Sequence, residues 1–406
     1  MDTKADRSLL CISAMLFITW GGLDNRKDAF FWAGAAVNEA LAMNLNRQLL
    51  STTAITSSSQ ARLWWIVVMR EVDVCLSLGR LPRLKIEGLR ELGLLELAPN
   101  RAPFDSAATA PKDHFVAKMI QLLCFKKVQL SLIAIEVLQV RFDCFGNSLP
   151  PAQVPAVLSR LDAKLHEWFT DLTKTLPLLG ETDSAVLTEA NRALLTNTAQ
   201  VALSAWLAVI TLHKTGVAFF AKRNHLLVKK HVQAVENAAV RALKIFQALH
   251  DHKLMIFVPA SAVGTLCAVV YALSTAKDSQ GGRLDRVEAI KNHLQSCLVF
   301  FDDLADMNYT AQQVADEARA TILKVGIEKQ TRQTDALSQP LQTAEDIDAD
   351  MTFDPLPELD GMADEMSPDL NINFTADDLE MASDDLRANL STSQDEFLAW
   401  QEVLSF

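Results

Sequence analysis

Between Val154 and Leu176 the residues Val157, Leu158, Leu161, Leu165, Trp168, Phe169, Leu172 and Leu176 recur at steps of three and four. That is the spacing at which side chains share one face of an α-helix. Arg160, Lys164, Glu167, Asp171 and Lys174 fall largely off the stripe. Pro150, Pro151 and Pro155 precede or open the segment and Pro177 follows it, where a ring without an N–H disturbs a helix least. A second seam runs through Val228, Val232, Val235, Ala239, Ala242, Phe246 and Leu249, and similar spacing appears over 115–140, 284–304 and 314–325. Stretches that alternate apolar and polar residues are missing, and Gly and Pro are sparse within the helical segments. The pattern predicts an all-α fold, a multi-helix antiparallel bundle of about ten helices.

The regularity stops near Lys329. From Gln330 to Ser393 core-forming residues are few, and Asp, Ser, Thr and Pro are many, so burial cannot offset the entropy of ordering the chain. Residues 1–329 are therefore expected to form the helical domain and 330–406 a disordered acidic tail. Charge divides in the same way. From Leu341 to Phe406 there are 18 Asp and Glu against the single basic residue Arg387, while the remainder holds 37 basic and 32 acidic residues. An acidic segment of this kind repels phosphates and suits protein partners. At its end Phe397, Leu398, Trp400, Val403, Leu404 and Phe406 follow Ser393 and Glu396, which have capping-box spacing. A short amphipathic helix there would present Trp400, Val403 and Leu404 to the groove of a partner, the alternative being that it docks on its own domain. Acidic and apolar residues mixed in a disordered tail are the composition of transcriptional activation segments.

Half of the chain is apolar, enough for a substantial core. Cys11, Cys75, Cys124, Cys144, Cys267 and Cys297 have neither metal-site spacing nor the pattern of a disulfide framework, and read as reduced, mostly buried thiols. Residues 9–20 follow two basic residues as a signal peptide would, but Asp2 and Asp6 precede them and no small-residue cleavage site follows. Ala193 to Leu212 and Leu254 to Ala276 approach the ~20 uncharged residues a bilayer needs. Their Ser, Thr and Gln content, Pro259 and the lack of aromatic belts favour buried helices over membrane insertion. Lys222, Arg223, Lys229 and Lys230 form a mildly basic neighbourhood that reads as a solvated helix face.

Asp302, Asp303 and Asp306 form the sharpest catalytic candidate. Asp-Asp-x-x-Asp on a helix places carboxylates one turn apart, as magnesium bridging a diphosphate requires, and this motif is similar to that of all-helical isoprenoid diphosphate enzymes. Only one short helical stretch and the acidic tail follow it, which leaves no place for a second metal motif, so a solvated helix end is the preferred reading. His250 and His252 flank Asp251 and point to different helix faces, and His225 and His231 lie six apart, neither arrangement suiting a shared metal. Phosphate loops, dinucleotide fingerprints and nucleophile elbows are missing, and no nucleophile or general base is assigned.

Residues 61–84 read ARLWWIVVMREVDVCLSLGRLPRL. Trp65, Val68, Val72, Cys75 and Leu76 make a helical stripe, Gly79 with Pro82 supplies a helix stop, and the planar fork of Arg80 can hold exposed carbonyls at that turn. The segment resembles the signature of the regulatory, or middle homology, domain of fungal zinc-cluster transcription factors. The family's Arg-x-Trp-Trp-like opening, later Asp and Gly-Arg-x-Pro ending fall on Arg62, Trp64, Trp65, Asp73, Gly79, Arg80 and Pro82. Residues 33–47 and 161–177 are similar to the family's preceding and following helices, and a looser resemblance runs over about 8–325. The resemblance implies an all-helical nuclear domain regulating transcription by RNA polymerase II. It also implies coactivator or Mediator-type partners, homo- or heterodimer contacts and a small-molecule effector. The family's zinc cluster of six Cys, its DNA-reading module, has no counterpart in this spacing. DNA is expected to be reached indirectly or through a missing amino-terminal module that would carry the zinc, and no cofactor is expected in the chain itself. For the Trp-Trp and Gly-Arg-x-Pro residues a structural role is favoured.

Overall fold

The computed structural model describes residues 10–17, 29–46, 59–85, 89, 114–146, 148–175, 189–221, 223–259, 261–276, 284–305 and helical positions within 311–320, all inside the compact unit Met1–Gln330. Among the described residues the regular structure is helical and none of it is strand. We number the helices α1 (10–17), α2 (Ala29–Ala42), α3 (Ser59–Leu78), α4 (His114–Phe145), α5 (Val154–Thr175), α6 (Glu189–Phe220), α7 (His225–Asp251), α8 (Ser261–Ala276) and α9 (Leu284–Ala305). A 3-10 turn, Met255–Phe257, joins α7 to α8.

The hub is α6. Its 32 residues span about 48 Å and are apolar around most of the circumference, so no single face can serve as the solvent side. The fold surrounds it: α3, α4, α5, α7 and α8 all pack on α6. Arg192–Phe220 is long and apolar enough to cross a bilayer, yet 72% of its apolar window is buried inside the protein. Its hydroxyls do not compromise that burial, because Thr196, Thr198 and Thr215 each donate to the carbonyl four residues back.

Around the hub the amphipathic helices orient as their seams require. On α5, with Pro155 in its first turn, Val154, Leu158, Leu161, Leu165, Trp168 and Leu172 are buried, and Trp168 Nε1 donates to the Lys126 carbonyl at 3.0 Å. On α7, Val235, Ala239, Ala242, Phe246 and Leu249 are buried, while Asn224 caps the amino terminus by accepting from the N–H groups of Leu226 and Leu227. The carboxyl end of α7 closes with Lys253 at φ 56°, where Leu254 N–H bonds the Leu249 carbonyl at 2.8 Å and the Leu254 side chain is fully buried. The 314–325 seam is helical at 315–316 and 319–320, and its other positions lie outside the described residues.

Candidate functional site

The Trp-Trp segment lies on α3, which packs against α2, α4, α6 and α8. Adjacent residues on a helix point about 100° apart, so only a helix covered on several sides can bury both Trp64 and Trp65, here 1% and 0% exposed. Arg62 is half-buried one turn earlier. The helix ends as a Schellman motif: Gly79 takes φ 65°, its N–H bonds the Leu76 carbonyl, and Arg80 N–H bonds the Cys75 carbonyl at 2.9 Å. A Cβ on Gly79 would also come within 2.5 Å of Arg141 Nη1 from α4. The guanidinium of Arg80 sits 4.8 Å from the centroid of the Phe30 ring, and Pro82 is buried.

Arg83 of this turn and Glu71 within α3, neither of them in the motif, carry much of the architecture. Arg83 stacks on Phe30 at 3.9 Å, donates to the Phe30 carbonyl, and occupies the space that a side chain on Gly34 would fill. Its backbone N–H donates to Glu71 Oε1 at 2.8 Å. Glu71 is fully buried on α3, and that burial pushes its carboxyl above the usual carboxylate range, partly countered by the Arg83 N–H and guanidinium. The chain after α3 is thereby latched to α2. Asp73 makes the second connection: Lys127 of α4 and Ser204 of α6 both donate to its Oδ1, and Lys127 Nζ donates to Ser204 Oγ at 2.7 Å. Three helices meet at one part-buried, hydrogen-bonded ion pair.

A separate concavity opens where α5 and α7 both rest on α6. It measures about 930 Å³, its floor kept low by Ala199 and Ala202. Phe169 stacks on Trp206 at 4.2 Å and 27°, and Arg241 of α7 lies 5.4 Å from the Trp206 ring. At one end of the groove is a relay of polar groups. Asp162 Oδ1 is 3.2 Å from His213 Nε2, and His213 Nδ1 is 2.9 Å from His231 Nδ1. With His213 Nε2–H donating to the carboxylate, its Nδ1 accepts from His231 Nδ1–H. Burial, then His213 and Lys230, bring His231 down to about 4, whereas the hydrogen bond from His213 holds Asp162 below the usual carboxylate range. Phe220 stacks on the His231 ring at 5.5 Å, and a Cβ on Gly216 would come within 2.6 Å of it.

His231 thus meets His213, eighteen residues earlier on the neighbouring helix, rather than His225. The sequence signal for His213 is a lone imidazole in the apolar run of α6; which residue it faces depends on how α6 and α7 pair. The Asp-Asp-x-x-Asp carboxylates diverge: Asp302 is bound by Arg319, Asp303 Oδ2 lies 2.6 Å from His250 Nδ1, and Asp306 lies outside the described residues. Among the described residues no group of three or more His, Cys, Asp or Glu is placed to hold a metal ion. None of the six cysteines is in a disulfide, and burial pushes the Cys75, Cys124 and Cys297 thiols up to about 12. Such thiols are poor nucleophiles. Phe397, Leu398, Trp400, Val403, Leu404 and Phe406 lie outside the described residues, as does Lys222 of the basic neighbourhood. Arg223 of that neighbourhood folds over the Phe219 ring and bonds the Phe219 carbonyl.

No protein-family model matches the chain, and no solved structure does. The chain spans 40% of the length of the curated relative it matches. Over 366 residues, 80% of this chain, it is 21% identical and so similar to a fungal transcription regulator, the cutinase transcription factor 1 beta of Fusarium vanettenii.

Proposed function

We propose that the chain regulates transcription by RNA polymerase II in the nucleus, with residues 1–329 as a helical regulatory domain and 330–406 as an acidic activation segment. The observation that carries this reading is the likeness to the Fusarium vanettenii transcription factor, which extends over 80% of the chain rather than one short motif. The all-helical body supports it, and so does the way the Trp-Trp and Gly-Arg-x-Pro residues brace the junction of α2, α3 and α4.

In this reading the tail recruits coactivator or Mediator-type proteins. Its 18 acids keep Leu341 to Phe406 solvated, and Phe397, Trp400 and Leu404 anchor the partner. DNA is reached through a partner or through a module that these 406 residues do not supply, since their six cysteines are dispersed. A homo- or heterodimer and a small-molecule effector belong to the same proposal. The test is a reporter assay with the whole chain fused to an unrelated DNA-binding module. The fusion should activate, and Phe397→Ala, Trp400→Ala and Leu404→Ala together should remove most of the activation at equal protein abundance. A silent fusion, or a triple variant as active as its parent, overturns the proposal.

A further inference from the structure

The groove over α6 has two unlike ends. Asp162 and His213 close one of them, and Glu236 lies on the α7 wall five residues beyond His231. Arg241 and Lys244 follow on the same wall, five and eight residues further on, both exposed at the rim. Residues three apart share one face of a helix, so the two cations serve the same stretch of groove. Among the described residues neither has a carboxylate partner, whereas Lys126, Lys127 and Lys164 of the same body are paired with Asp171, Asp73 and Glu136. Arg241 lies instead 5.4 Å from the Trp206 ring.

Between the ends the groove is aromatic and apolar. The stacked rings of Phe169 and Trp206 are half-buried, and Leu165, Ala199 and Ala202 in the same lining are buried. Asp162 can receive a donor, for its Oδ1 is engaged by His213, its Oδ2 bonds no described residue, and its side chain is 48% exposed. We propose that the groove binds a phenolic acid, its hydroxyl donating to Asp162, its ring lying against Phe169 and Trp206, and its carboxylate received by Arg241 and Lys244.

The lengths agree. His231, joined to Asp162 through His213, is ten residues from Arg241 along α7, about 15 Å. A hydroxycinnamate, with roughly 9 Å between hydroxyl and carboxylate and a hydrogen bond of ~2.8 Å at either end, also spans about 15 Å. The guanidinium fork of Arg241 matches a carboxylate, and Lys244 adds a point charge at its side. An aliphatic acid would satisfy the cations but would neither stack on the rings nor donate to Asp162. The volume, about 930 Å³, falls within the range of ligand sites, roughly 300–1,000 Å³, and leaves room for substituents on the ring. Only the use of this site by an effector rests on the transcriptional reading. The binding measurement involves no reporter, so the two fail separately.

The test is isothermal titration calorimetry of the full chain at pH 7 with 4-hydroxycinnamate as the probe. One molecule should bind per chain. The 4-methoxy ether, which cannot donate to Asp162, should bind about tenfold more weakly, and 4-hydroxycinnamyl alcohol, which has no carboxylate, weaker still. Arg241→Gln should weaken 4-hydroxycinnamate tenfold or more, Arg241→Lys should recover part of the loss, and Lys229→Gln, outside the groove, should change nothing. Circular dichroism checks the helix content of each variant, and the comparison of the three compounds on the native chain decides the matter if an Arg241 variant misfolds. No binding of 4-hydroxycinnamate at several millimolar overturns the site. Equal binding of the ether overturns the contact with Asp162, and equal binding to a folded Arg241→Gln chain overturns the placement in this groove.

Discussion

Gly79 and Lys253 occupy the same backbone conformation, φ 65° and φ 56°, at the ends of α3 and α7, with opposite consequences. A left-handed residue with a Cβ costs about 1 kcal/mol relative to glycine. Lys253→Gly should therefore stabilise the fold by roughly 0.5–1 kcal/mol, measured as a shift in the denaturant midpoint at unchanged slope. Gly79→Ala meets the same conformational cost and, in addition, the Arg141 guanidinium 2.5 Å from its new Cβ. A loss of about 2 kcal/mol is expected, part of it recovered when Arg141→Ala is added, because the two residues share one space. The helix stop at Gly79 was legible in the sequence, since glycine before proline marks a left-handed cap. The approach of Arg141 was not, because it depends on where α4 lies.

At the scale of elements, the crossing of α3, α4 and α6 and the pairing of α6 with α7 each turn on one polar contact. Lys127→Met keeps the length of the side chain but leaves Asp73, 14% exposed, without its cation. That should cost roughly 3 kcal/mol, and Asp73→Asn in the same chain should restore much of it, as a thermodynamic cycle would measure. The His213–His231 pair makes stability depend on pH. Unfolded, an imidazole takes up its proton near 6.5; folded, His231 does so only at about 4. Between those values the unfolded chain binds a proton that the folded chain does not, so stability falls as pH drops through that window. Asp162, held below its ordinary 3.8, loses its own contribution below that pH, in the same direction. Tm should decline from pH 7 to pH 4.5, and His231→Asn should flatten that decline while lowering Tm at pH 7. An unchanged slope in the variant would falsify the assignment to His231. Sequence periodicity gave the buried faces of α5 and α7 correctly down to Leu161 and Phe246. It could not pair His213 with His231, because the helical period reports which face of one helix is apolar and nothing about its neighbour.

For the molecule as a whole, a helix with little amphipathic character is the most informative. A run such as 193–212, apolar on every side, fits a bilayer and a protein hub equally well by composition, and its hydroxyls and missing aromatic belts argued for the hub. The fold places five helices around α6, and Ala205 and Ala208 are 0% exposed where they approach. What remained illegible was which helix would be central, since the seams of α3 and α9 are also largely buried. A hub shared by five helices makes unfolding a single event, for none of them can leave without exposing α6. Far-UV circular dichroism and tryptophan fluorescence should therefore report coincident denaturant transitions for the chain ending at Gln330. Ala208→Asp, which places an unpaired charge in that hub, should cost roughly 4 kcal/mol or more and lower both transitions together. Ala163→Glu, on the exposed face of α5, should move them by less than about 0.5 kcal/mol. If Ala208→Asp instead separates the two transitions, α6 is not the common support of the other helices, and the packing around it consists of units that fold independently.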